Sequence, residues 1–186
     1  MVRGLFVFIL SFVTFVGSFS SVTHADPITA ADGSLVTVLP ANLTAPGTLR
    51  PLLEEMLRRS PTFRQQVSKL RAAPPVKMAI RYSDVSSWHV LRAESTVSRF
   101  EWGAMQVDTQ LYTVRDAVEV IAHELEHVCE QIEGLDVRQL SHQRNTGVYS
   151  VGQHFETRRA VLVGRQVARE ALGLTLGSAP PTHPTE

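Results

Sequence analysis

Five consecutive residues, His123-Glu124-Leu125-Glu126-His127, set two imidazoles four positions apart with a carboxylate directly after the first. On a helix, positions i and i+4 lie one turn apart on a single face. Two imidazoles so placed can share one tetrahedral zinc ion through nitrogen–metal bonds of about 2.0–2.1 Å. Glu124 is rotated about 100° from His123 and about 60° from His127. It therefore flanks the metal, where a carboxylate can take a proton from water. That is the chemistry of metal-assisted hydrolysis, with His123 and His127 as ligands and Glu124 as general base. The plain alternative is a helix carrying two solvated histidines among glutamates.

The residues around the five support a helix. Val118, Ile121, Ala122, Leu125, Val128, Cys129 and Ile132 recur at helical spacing, which predicts one apolar stripe on a helix over 114–133. Gly134 stands at its C-terminal cap position. Upstream, Leu49, Leu52, Leu53, Met56 and Leu57 predict a helix over 48–59. Ser60-Pro61 opens another, with Ser60 as N-cap and Phe63, Val67 and Leu70 as its stripe. After Ala73-Pro74-Pro75 the period changes. Val76, Met78 and Ile80 alternate with polar or small residues, as in a half-buried strand. Further strands are expected over 96–102 and 104–109, with Trp88 and Trp102 packing in the core or on the sheet. An irregular stretch over 135–152 precedes a last helix over 153–172.

The ends and the composition narrow the class. Arg3, an apolar run over 5–19 and the small-residue site Thr23-His24-Ala25 together have the order of a secretory signal peptide, residues 1–25. The run is short of the roughly 20 residues that cross a bilayer, which disfavours the alternative of an uncleaved anchor. Residues 26–46, rich in proline and glycine, read as an extended N-terminal segment; 47–172 form the domain; 173–186 form a loose tail. Asn42-Leu43-Thr44 matches a glycosylation acceptor, relevant only in a eukaryotic secretory pathway. Lys and Arg total 18 and Asp and Glu total 18, so the basic footprint of a nucleic-acid binder is missing. Cys129 is the only cysteine. The core or a metal must then supply stability in place of internal disulfides, and the thiol is expected to be buried and inert. The chain is expected to be secreted or periplasmic, with no membrane association beyond the signal peptide.

The motif, in a chain ordered helices, strands, motif helix and second helix, resembles the zincin superfamily of metallopeptidases. The resemblance is strong in the motif and rests on element order elsewhere. Glu130 stands where the metzincin branch has a glycine and Glu133 where it has a final histidine. The chain is more similar to the compact glutamate-zincins. That resemblance implies an α+β, zincin-like fold, with a small mainly antiparallel or mixed sheet packed on the motif helix and a second ligand-bearing helix. It implies a third zinc ligand at Glu156, in Phe155-Glu156-Thr157-Arg158-Arg159-Ala160, where small Ala160 permits close helix approach. Val161 stands where the family has an acidic residue after the small one. A carboxylate to hold a ligand histidine must then come from elsewhere, with Asp116 or Asp108 as candidates. His154 competes with Glu156 as ligand. His142, Tyr149 and His154 are candidate transition-state or substrate contacts, each more often a surface residue.

The implied activity is zinc-dependent cleavage of a peptide or protein substrate, which an edge strand, expected over 96–102, would hold by backbone pairing. The rival reading is a non-catalytic, zinc-stabilised envelope or secreted binding module. Another is a helical interaction protein without metal.

Overall fold

The computed structural model describes residues 5–6, 38–83, 92–112, 114, 116–151 and 154–173. The predicted cleavage site, Trp88 and the tail beyond 173 lie outside the described residues. Among the described residues, no helix is long and apolar enough to cross a membrane.

A two-residue strand in the predicted leader, β1 (Leu5–Phe6), is followed by β2 (Leu43–Thr44). The segment read as an extended lead-in therefore supplies a sheet strand. Its Asn42 is no free acceptor, because the side-chain amide donates to the carbonyls of Leu70 at 2.7 Å and Val76 at 2.9 Å. Helices α1 (Arg50–Arg59) and α2 (Pro61–Arg71) bury Leu53, Met56 and Leu57, and Phe63, Val67 and Leu70. Ser60 caps α2 through its hydroxyl, which accepts from the Phe63 amide at 2.9 Å.

β3 (Val76–Tyr82), β4 (Ala93–Arg99) and β5 (Met105–Leu111) complete a five-stranded mixed sheet in the order β1-β4-β5-β3-β2. β2, β3 and β5 are parallel, and β4 is antiparallel to β5. β4 begins three residues earlier than the sequence suggests, and β5 runs two residues further. Trp102, expected in the core or on the sheet, stands 76 % exposed in the β4–β5 turn and stacks on Phe100. The inner face is apolar through Val76, Met78 and Ile80 and through Met105, Val107 and Leu111. Polar or small residues alternate with these on the other face, as expected of a sheet covered on one side.

The motif lies on α3 (Ala117–Ile132), which Gly134 ends in a left-handed conformation (φ +78°). The helix is buried nearly all round rather than along one stripe, because it runs between the sheet layer and α5. Downstream, the expected irregular stretch holds a short helix, α4 (Val137–Ser141), and β6 (Val148–Val151). The expected helix over 153–172 is divided. Its first residues form β7 (His154–Thr157), paired antiparallel with β6, and α5 spans Arg158–Leu172.

Glu156 therefore sits on a hairpin strand, not on a second ligand-bearing helix. Two local causes fix that boundary. Val148, Tyr149, Val151, Phe155 and Thr157 favour extended backbone. The Thr157 hydroxyl then accepts from the Ala160 amide at 3.0 Å and opens the helix. Gly164 also allows close packing of α5 on α3. A β-carbon at Gly164 would stand 2.8 Å from the Glu119 carbonyl oxygen and 3.1 Å from the His123 β-carbon.

Candidate metal centre

His123 and His127 rise from one face of α3, and the β6–β7 hairpin lays Glu156 across them. The two Nε2 atoms are 3.2 Å apart. Glu156 Oε2 lies 3.3 Å from His123 Nε2, and Glu156 Oε1 lies 3.3 Å from His127 Nε2. Two donors bound at 2.0–2.1 Å to one tetrahedral ion are separated by about 3.3–3.4 Å, which each pair taken singly matches, the two histidines facing different oxygens of Glu156. With one donor atom taken from each residue, all three lie within 4.8 Å. His123, His127 and Glu156 are all buried. The cluster can hold a metal ion.

The charges around the cluster fit a cation. His127 Nδ1 meets Glu130 Oε2 at 2.9 Å, so the ring lies between the carboxylates of Glu130 and Glu156. Burial disfavours a charged imidazole there, yet hydrogen bonds to Glu130 and Glu156 outweigh it and push His127 up to about 10. Burial also raises the Glu156 carboxyl, but its hydrogen bonds to His123 and His127 hold it down at about 2. The backbone amide of Thr157 donates to Glu156 Oε1 at 2.7 Å.

Glu124 is 1 % exposed and points toward the sheet. The Ser95 hydroxyl on β4 donates to its Oε2 at 2.6 Å, and Ser95 and Thr109 share a hydrogen bond of 2.8 Å. Burial pushes the Glu124 carboxyl up, against the opposing pull of His123, His127 and Ser95. A cavity of about 20 Å³ opens beside Glu124 and His127, with Ser95, Val97, Val128 and Phe155 among its walls. It has room for a water-sized group.

The remaining candidates are placed as follows. Tyr149 lies directly opposite Glu156 in the hairpin register and is half-exposed. Burial and the negative charge of Glu156 raise its phenol. His142 caps the C-terminal end of α4 and is exposed, with no contact to the cluster recorded among the described residues. His154 pairs with Val151 on the hairpin, and its side chain lies outside the described residues.

Asp116 and Asp108, expected as candidates to support a ligand histidine, pair instead with Arg92 and Arg81. Glu130 occupies that role by contact. Glu133 bonds to Lys69 and Arg159, away from the cluster. Cys129 is fully buried, its thiol directed at the Gln66 carbonyl oxygen, and burial pushes it up to about 12.

Ser95, Thr109, Glu130 and Thr157 are the polar partners that pattern reading missed. A signal existed for the first two, because hydroxyl residues interrupt the apolar alternation of the inner sheet face. Glu130 follows His127 by three positions, a spacing that brings helical side chains together. No family model, no curated protein and no solved structure matches the chain.

Proposed function

We propose that this chain is an exported zinc metallohydrolase with a zincin-like fold that cleaves peptide bonds. The observation that carries the reading is the convergence of His123, His127 and Glu156, with Glu124 buried beside them on the next helical position. Two imidazoles and one carboxylate, without cysteine, are a donor set suited to catalytic rather than structural zinc. Bound there, the ion would supply Lewis acidity and lower the pKa of a coordinated water.

Every other part falls to the chain. His123, His127 and Glu156 fix the ion's position. Glu124 takes the proton of the attacking water and returns it to the leaving amine. Its burial suits that exchange, because a carboxyl raised from its ordinary value takes up a proton more readily. Ser95 holds Oε2, so the carboxylate cannot swing away from the water. Tyr149, opposite Glu156, is the candidate to donate to the developing oxyanion.

The substrate would lie along β4, whose Ser95 touches the general base. In this structure β4's outer neighbour is β1, which belongs to the predicted leader. Cleavage after Ala25 would expose that strand edge for backbone pairing with an extended peptide. Mass spectrometry of the exported protein tests the cleavage, and an intact Met1 would argue for an anchor.

The purified mature chain should carry one zinc ion per chain by elemental analysis, and Glu156→Ala should lower zinc affinity by orders of magnitude. Absence of zinc binding by calorimetry in metal-replete protein overturns the reading. Tight zinc binding without hydrolysis of any member of an unbiased peptide library would favour the rival binding module.

A further inference from the structure

A buried carboxylate on a helix needs a reason, and Glu130 is 0 % exposed. Without compensation, burying such a charge is expensive. Both Glu130 oxygens are engaged. Oε2 meets His127 Nδ1 at 2.9 Å, and Oε1 accepts from the Thr157 hydroxyl at 2.7 Å. Thr157 follows Glu156 in sequence, and its amide donates to Glu156 Oε1 at 2.7 Å. The same hydroxyl accepts from the Ala160 amide and starts α5. A closed circuit therefore runs from His127 through Glu130 and Thr157 to Glu156, and back to His127. It joins the motif helix, the hairpin strand and the first turn of α5.

From this circuit we infer that Glu130 and Thr157 are positioning residues, which set the two ligands they touch before a metal arrives. The inference rests on the metallohydrolase reading above. Accepting from Nδ1–H, Glu130 keeps that proton on Nδ1, so that the proton an ion displaces is the one on Nε2. It also raises the ring's basicity as a ligand. Thr157 orients Glu130 with its hydroxyl and Glu156 with its amide, so one residue sets the angle between two ligands from different elements. His127 and Glu156 are 29 positions apart in sequence and lie on separate elements, and this bridge helps to hold them in register without the ion.

Zinc and cobalt(II) titrations of the exported chain test this, with Glu130→Gln, Thr157→Ala and Thr157→Ser as variants. Glu130→Gln should weaken zinc about 10- to 100-fold, and it should shift the visible bands of the cobalt(II) form. Thr157→Ala should weaken zinc about tenfold, and Thr157→Ser, which restores the hydroxyl, should recover most of that loss. The nitrogen shifts of His127 in the zinc form should report a proton on Nδ1 in the parent. A parent that binds zinc, with Glu130→Gln matching it in affinity, cobalt spectrum and tautomer, overturns this inference alone. So does a Thr157→Ser variant as weak as Thr157→Ala. If Glu130→Gln fails to fold, the Thr157 pair decides. A parent that binds neither ion overturns this inference together with the reading beneath it.

Discussion

Glu124 and Glu126 stand two residues apart on α3, both buried, and the protein treats them in opposite ways. Glu126 receives the Gln66 side-chain amide on one oxygen at 2.8 Å and the Arg159 guanidinium on the other at 2.5 Å. Its charge is neutralised, and the contact joins α2, α3 and α5. Glu124 receives a neutral hydroxyl from Ser95, and burial pushes its carboxyl up. One helix thus carries a carboxylate tied down by a cation and a carboxylate left able to exchange a proton. The residue type does not decide the role. The partner does.

Separating the two in experiment gives the largest expected effect. Glu124→Gln should retain zinc and the fold while hydrolysis falls about 10²- to 10⁴-fold, because an amide cannot act as general base. Glu126→Gln should leave turnover per folded molecule nearly unchanged. Peptide-hydrolysis rates normalised to bound zinc measure both, and equal loss in the two variants would erase the contrast.

Stability should show the opposite order. Arg159→Ala strands the Glu126 charge in the interior and should destabilise the chain by about 3 kcal/mol in urea unfolding. This is the lower end for a broken buried pair, since the Arg159 side chain is itself 36 % exposed and Gln66 remains. An effect below about 0.5 kcal/mol would place this contact with ordinary surface pairs.

Gly164→Ala acts on both regions at once. Its new methyl meets the Glu119 carbonyl and the turn carrying His123, so α5 must shift. Overpacking of this kind costs about 1–3 kcal/mol, and calorimetry should show weaker zinc binding in the same variant. Unchanged melting and affinity would mean that the two helices have slack at this point.

The smallest effect is expected at Glu133, which shares Arg159 but lies at the rim. Its hydrogen bond to Arg159, joined by Lys69, holds the carboxyl down at about 2 against the raising effect of burial. A lowered pKa stabilises the folded chain above the ordinary value of 4.5 and loses that contribution as pH falls toward about 2. The melting difference between parent and Glu133→Gln should therefore shrink between about pH 6 and about pH 3. It should amount to no more than about 0.5 kcal/mol, given the exposure of the pair. A difference that grows on acidification would reverse the assigned sign.

What the sequence could disclose followed local periodicity. The stripes of α1, α2 and α3 and the alternation through Val76, Met78 and Ile80 each repeat within a few residues, and those elements appear where expected. The His123–His127 spacing is of the same local kind. Glu156 follows from family resemblance rather than from a local pattern, and the structure brings it to the histidines by a different backbone route. The hairpin leaves no legible signal because β6 and β7 have only four residues each, too short to show a period before the strong pattern of α5 begins. By sequence alone Glu130 marks only a departure from the metzincin pattern. Its use depends on Thr157, 27 residues away, and no local rule joins the two.

The placement of Glu156 on a hairpin has a consequence for how the chain folds. A metal joining α3 to β7 would close a loop of roughly thirty residues, comparable with a medium disulfide loop. A covalent link of that length removes about 3–4 kcal/mol of conformational freedom from the unfolded chain. In a chain whose single cysteine is buried and unpaired, a reversible ionic clasp would do what a disulfide does in disulfide-bonded proteins. It would also open under chelation, with α4 and the hairpin the first segments released from the rest.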